Sequence, residues 1–188
     1  MSITVTDAAT MTCVAGQKHE FRPATVAEYK ALGHPLRMRI LRLCLDEPRT
    51  NRDLAERLGA NPATVLHHVR TLVDHGFLEE QPSRVGRRGA REKPYKATGL
   101  SWFVTDDEVP ADARLASVVA MIDVLRAEVL EAGPGSERNV SRLGLVLGEE
   151  SAKELQDRLW ELAKEFEERS PEPEGERLGL FIALHERD

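Results

Sequence analysis

Apolar positions recur at helical spacing in runs bounded by residues that start or stop helices. A short helix is predicted over Val26–Leu32, stopped by Gly33. Pro35 stands where a helix begins, because its missing N–H is unsatisfied there anyway. Leu36, Ile40, Leu43 and Cys44 then form a stripe, with Arg37, Arg39 and Arg42 off it, and Pro48 closes the run. Thr50 suits a helix cap, with Asp53 three positions on, where negative charge is favoured. Leu54, Ala55 and Leu58 are the buried stripe of that helix, and Gly59 ends it. Two or three residues later Asn61 caps a further helix and Pro62 opens it. Its inner face is Val65, Val69, Leu72 and Val73, and Gly76 stops it.

The period then changes. Residues 77–80 read as a strand, a turn follows around Gly86 and Gly89, and a second strand is predicted near 94–98. Helix, helix, tight turn, helix, hairpin is the order of a winged helix-turn-helix. Residues 106–111 make an acidic, Pro-containing connector. Leu115, Val118, Val119, Ile122, Leu125 and Val129 follow at steps of 3, 1, 3, 3 and 4, and Met121 and Val124 widen that stripe. A helix so broadly apolar is expected to bury much of its surface against a neighbour. Gly133-Pro134-Gly135 ends it. Residues 140–147 (VSRLGLVL) and 178–184 (LGLFIAL) read as strands. Between them lies a long helix over Glu149–Arg169, with Leu155, Leu159, Leu162, Ala163 and Phe166 on one face, and then a SPEPEGE loop.

The expected fold is α+β and mostly helical. An N-terminal winged helix-turn-helix over 25–103 is joined through a linker at 104–111 to a helix–strand–helix–strand domain over 112–188, and 1–24 is expected to be a flexible tail.

Charge sharpens this division. Residues 30–103 carry 14 basic and 8 acidic side chains, for +6, whereas residues 104–188 carry 10 and 21, for −11. The whole chain of 188 residues is at −6. An asymmetry of this kind points to a polyanion-binding module joined to something else. Hydrophobic residues at 41% and aromatics at 5% describe a globular chain. No apolar run reaches the roughly 18 residues that a membrane helix needs. The first twenty residues lack the pattern of a secretory signal, and two cysteines, Cys13 and Cys44, fit a reducing cytoplasm.

A helix held closely behind another can lie in the DNA major groove with its N-terminal side chains on base edges. Here these are Asn61, Pro62, Ala63 and Thr64, with His67 and His68 one turn on and Arg70 beyond. Thr64 can donate or accept, and Ala63 can touch a thymine methyl. His67 and His68 are expected to hydrogen-bond base edges or phosphates, and their protonation should strengthen binding mildly in acid. Arg70 and the arginines of the first helices are candidate phosphate clamps. The hairpin tip holds Arg84, Arg87, Arg88 and Arg91 within eight residues, followed by Lys93. An arginine-rich wing suits the negative potential of a narrow minor groove. The ordinary alternatives are a solvated loop and a plain helical hairpin; finding both features in order weighs against them.

Residues 30–103, about 40% of the chain, resemble the winged helix-turn-helix of ArsR-type bacterial transcription regulators. The stretches that carry the resemblance are ALGHPLRMRILRLC, DLAERLGANPATVLHHVRTLVDHGFLEE and GRRGAREKPYKATG; the acidic second half marks a larger form with an added C-terminal domain. The resemblance implies a homodimer that binds an imperfect palindrome near a promoter, by default as a repressor. Two positions depart from the family pattern. Leu66 stands where Ser is frequent, just before His67. The stretch TNRDLAERL lacks the Cys-x-Cys of metal-sensing members, and residues 112–131 contain no His.

No metal site, cofactor or catalytic residue is expected. Cys44 falls on an apolar helix face, Cys13 and His19 match no zinc spacing, and His67 and His68 diverge on a helix. No nucleophile motif or phosphate loop occurs, which argues against an enzyme. The expected dimer helix presents Leu115, Val119, Ile122, Leu125 and Val129. Control by a small-molecule effector of the second half is one expectation. The alternative is an architectural or protein-partner-controlled regulator with no such ligand.

Overall fold

A computed structural model of the chain describes residues 11–12, 18–19, 22–85, 91–102, 104–105, 109–169 and 174–187. The chain divides into two compact units, Met1–Arg126 and Ala127–Asp188. The division falls inside a helix rather than at the acidic connector.

In the first unit, β1 (Met11–Thr12) and β2 (Lys18–His19) pair antiparallel, and β3 (Arg22–Pro23) pairs in parallel with β9 (Val104–Thr105). Ala24 is buried with Val109 and Ala113. From residue 22 onward the chain is held by the buried Ala24 and by a partly buried ion pair. That pair joins Arg22 to Glu28 at 2.5 Å. Glu28 also completes a capping box with Thr25 at the start of α1 (Val26–Leu32). The Arg22 guanidinium, with the Thr25 donors, holds the Glu28 carboxyl down to about 2.

His34 caps α2 (Pro35–Leu43), its ring Nδ1 accepting from the Leu36 N–H at 3.2 Å. The helix ends at Leu43, well before Pro48. The Thr50 side chain caps α3 (Asn51–Leu58), and Asp53 answers it in a second capping box. Gly59 closes α3 at φ 59°, a left-handed conformation that suits glycine. Three residues therefore separate α3 from α4 (Pro62–Asp74).

A three-stranded antiparallel sheet lies beside these helices. Its strands are β4 (Arg49–Thr50), β8 (Pro94–Ala97) and β5 (Leu78–Glu80), with β8 in the middle. Leu78 pairs with Ala97, and Arg49 and Glu80 both pair with Tyr95. The hairpin continues as β6 (Arg84–Val85) against β7 (Arg91–Glu92), with Val85 opposite Arg91. One core unites these elements: Ile40, Cys44, Leu54, Val65, Val69, Leu72 and Phe77 are each at most 1% exposed. Each large apolar side chain so buried contributes about 1.5–3 kcal/mol.

Helix α5 (Ala111–Ala132) buries Ala113, Ser117, Ala120 and Val124. Small residues allow close approach: the nearest atom to a side chain added at Gly33 would be the Ala116 Cβ, at 3.6 Å. The predicted apolar stripe lies elsewhere on this helix. Leu115, Val119, Ile122 and Val129 are exposed and Leu125 is partly so.

In the second unit α6 (Glu149–Arg169) forms as predicted, but residues 140–147 and 178–184 do not form strands. The two segments touch through arginine side chains, with Arg138 paired to Glu176 and the Arg187 guanidinium beside Gly144. Two exposed segments without a third strand or a covering layer among the described residues have little to hold a ladder. Among its described residues this unit buries none.

Candidate nucleic-acid interface

The fold presents one face of α4 to solvent. Val65, His68, Val69 and Leu72 point into the core, which turns Ala63, Thr64, His67 and Arg70 outward at steps of 1, 3 and 3. Asn61 spends its side chain on the cap, accepting from the Ala63 N–H at 2.8 Å. Pro62 at the first helical position is exposed. The angle between α3 and α4 is held by a contact that sequence pattern does not reveal: Asn51 donates from Nδ2 to the Pro62 carbonyl at 3.0 Å. This ties the start of α3 to the start of α4.

His68 is placed otherwise than predicted. It is 8% exposed, its ring centroid 4.4 Å from that of His34. Burial pushes its pKa down to about 4, with the charges of His34, Arg37 and His67 acting in the same direction. A neutral ring facing inward cannot supply an acid-strengthened DNA contact, which removes His68 from that expectation. Register explains the error: on an α-helix residue 68 shares a face with Val65 and Leu72.

The wing base carries Arg84 and Arg91, both exposed, on facing strands. Arg84 lies 3.8 Å from Asp53 and Lys93 lies 2.8 Å from Glu80. Both pairs are on the surface, where such bonds are weak and can yield to a phosphate. Glu80 raises the pKa of the Lys93 ammonium, so it remains a cation. A shallow cleft of about 440 Å³ between α4 and the wing base is lined by Leu66, Arg70, Tyr95 and the Lys93–Glu80 pair. It brings Arg70 and Lys93 to one surface. Arg87 and Arg88 lie outside the described residues.

Arg37 has a different task from a phosphate clamp. It donates through Nε to the Ala31 carbonyl and through Nη2 to the Lys30 carbonyl at 2.7 Å, closing the end of α1. Cys44 is fully buried, and burial pushes its thiol up to about 12, which leaves it unreactive. Among the described residues no group of three or more His, Cys, Asp or Glu side chains could hold a metal ion, and no helix is long and apolar enough to cross a membrane.

Residues 32–81 match the family model described as "Helix-turn-helix domain". This span runs from the end of α1 through α4 to β5, and the hairpin beyond it makes the fold a winged helix-turn-helix. No curated protein matches the chain. Among solved structures, the chain is similar to reduced HlyU from Vibrio cholerae N16961 at 16% identity, covering 52% of this chain and 81% of that one, with a TM-score of 0.34. It is similar at 25% identity to the homodimeric winged helix-turn-helix DNA-binding domain Mb0332 from Mycobacterium bovis, a possible ArsR-family transcriptional regulator, covering 59% and 85% with a TM-score of 0.33. A third likeness, at 15% identity, is to the S. aureus MepR–DNA complex, covering 73% and 85% with a TM-score of 0.29.

Proposed function

With a winged helix-turn-helix as premise, we propose that this chain is a sequence-specific, ArsR-type transcription regulator that binds double-stranded DNA as a homodimer. The observation that carries the reading is the outward face of α4. Ala63, Thr64, His67 and Arg70 are exposed on a helix held three residues behind α3, beside a wing that begins with Arg84 and ends with Arg91. Side chains there reach base edges, and the wing and Lys93 neutralise phosphates.

The dimer forms through α5. Its small-residue face is buried within the first unit, while Leu115, Val119, Ile122, Leu125 and Val129 lie on the remaining surface. The acidic second half repels DNA and so confines contact to the basic face. Regulation follows from occupying promoter DNA, by default as a repressor. A ligand of the second unit changes that occupancy only if it binds the DNA-competent and DNA-incompetent arrangements differently.

The test is selection from a random duplex pool at about physiological salt. Enrichment of a palindrome with half-sites about one helical turn apart supports the dimeric regulator. Salt-sensitive binding without enrichment supports an architectural role instead. No binding, with and without cell extract as a source of effector, overturns the reading.

A further inference from the structure

We propose that α6 pairs with α6 of a second copy, antiparallel about a two-fold axis. The inference is independent of DNA binding and adds a self-contact to that of α5. Ala152, Leu155, Leu159, Leu162 and Phe166 follow at steps of 3, 4, 3 and 4, which is the seam spacing of a two-helix coiled coil, kept for two heptads of this 21-residue helix. The C-terminal part of this seam is open, with Leu162 54% and Phe166 57% exposed, while Ala152, Leu155 and Leu159 are half-buried; the Arg169 guanidinium lies 4.7 Å from the Phe166 ring centroid. An open trough of about 840 Å³ follows it along Leu155, Leu159 and Leu162, edged by Arg158 and Glu165.

Charge identifies the occupant and its direction. In an antiparallel pair, Leu159 of one copy meets Leu162 of the other, and Leu155 meets Phe166. Arg158 then flanks Glu165 of the second copy, and symmetry repeats the contact. In a parallel pair the same flanking positions would set Arg158 against Ala163 and Glu165 against Ser170, without opposite charge. The other flank holds Gln156 and Ala163, which are uncharged. Asp157, Glu161 and Lys164 fall on the outer surface of the pair.

Within one chain Arg158 lies 3.4 Å from Glu154, and Glu165 pairs with Arg169. These are exposed contacts one helical turn apart, weak enough to exchange. A polyanion is a poor occupant, since the helix carries eight acidic and four basic side chains. A surface that complements itself about a two-fold axis suits a second copy.

Disulfide trapping of the full-length chain tests the pairing, in a Cys13→Ser background under mild oxidation at a few micromolar. Leu159→Cys with Leu162→Cys should yield a covalent dimer, and Leu162→Cys alone should not. A link through Leu162→Cys alone would mean a parallel pair, and no link in either would mean no pair; both overturn the proposal. Surface charge reversals supply a second readout that leaves the fold intact. In a Val119→Asp background, where α5 contacts are weakened, Arg158→Glu and Glu165→Arg should each raise the dissociation constant about fivefold. Combining them should restore the parental value. Restoration cannot come from the contacts within one chain, because each reversal also opposes Glu154 or Arg169. Unchanged constants in the single variants, or additive losses in the double, would overturn the proposal.

Discussion

His34 and His68 meet ring to ring, their centroids 4.4 Å apart, one capping α2 and the other buried on α4. The contact joins α2 to α4, the proposed recognition helix, and it works only with uncharged rings. The Nδ1 of His34 accepts from the Leu36 N–H, which a protonated ring cannot do. Arg37 lies near both rings and opposes their charging.

Stability should therefore fall in acid. Both histidines have folded pKa values below the unfolded value of about 6.5, so the folded state binds fewer protons. Their contribution is complete above pH 6.5 and is lost as pH falls through the range down to about 4 for His68. The loss from His68 is on the order of 2–3 kcal/mol. Urea melts at pH 8, 6 and 4.5 measure it. In His68→Phe the dependence should shrink, and an equal slope in that variant would place the acid sensitivity elsewhere.

Helix and wing should separate in their effects on DNA. Thr64→Ala with His67→Ala should narrow the difference between operator and random duplex, each lost base contact costing about 1–3 kcal/mol. Arg87→Ala with Arg88→Ala should weaken binding to both duplexes alike and reduce the salt slope by up to about two units. Fluorescence anisotropy across a salt series reads both. If the two double variants behave alike, this division of labour is wrong.

Glu28→Gln should lower the melting temperature. It removes the ion pair with Arg22 and weakens the α1 capping box, for a loss of about 1–2 kcal/mol. The parent should also lose this contribution as pH falls from about 4.5 towards 2, because the folded pKa is the depressed one. The variant should lack that part of the acid transition. Scanning calorimetry at pH 7 and pH 3 compares them.

Val119→Asp should weaken self-association, since it places a charge in the middle of the exposed α5 stripe. Sedimentation equilibrium should show at least a tenfold rise in the dissociation constant. An unchanged constant would move the α5 interface off this face.

Most of the first unit was legible because local signals agreed there. Thr50 and Asn61 cap where their spacing predicts, and Gly59 and Gly76 stop helices at positive φ. Two kinds of feature escaped. His68 is polar by type but lies in the register of Val65 and Leu72, and a residue-type reading assigned it to DNA. Asn51 and Arg37 act through contacts between elements, to the Pro62 and Ala31 carbonyls, which no periodicity encodes. In the second unit, imperfect alternation at 140–147 and the apolar run at 178–184 suggested strands. Alternation expresses only which faces differ; a ladder also needs a neighbour to pair with and a layer to cover it.

The outward face of α4 also bears on how a protein of this kind can change over generations. Ala63, Thr64, His67 and Arg70 project from a helix whose anchorage depends on other positions: Val65, Val69 and Leu72 in the core, His68 against His34, and the Asn61 cap. Exposed substitutions of this sort usually move stability by no more than about 0.5 kcal/mol. Under the proposed function, the outward side chains can change while the anchoring positions stay fixed, so duplicated copies would reach new operators one residue at a time without passing through unfolded ancestors.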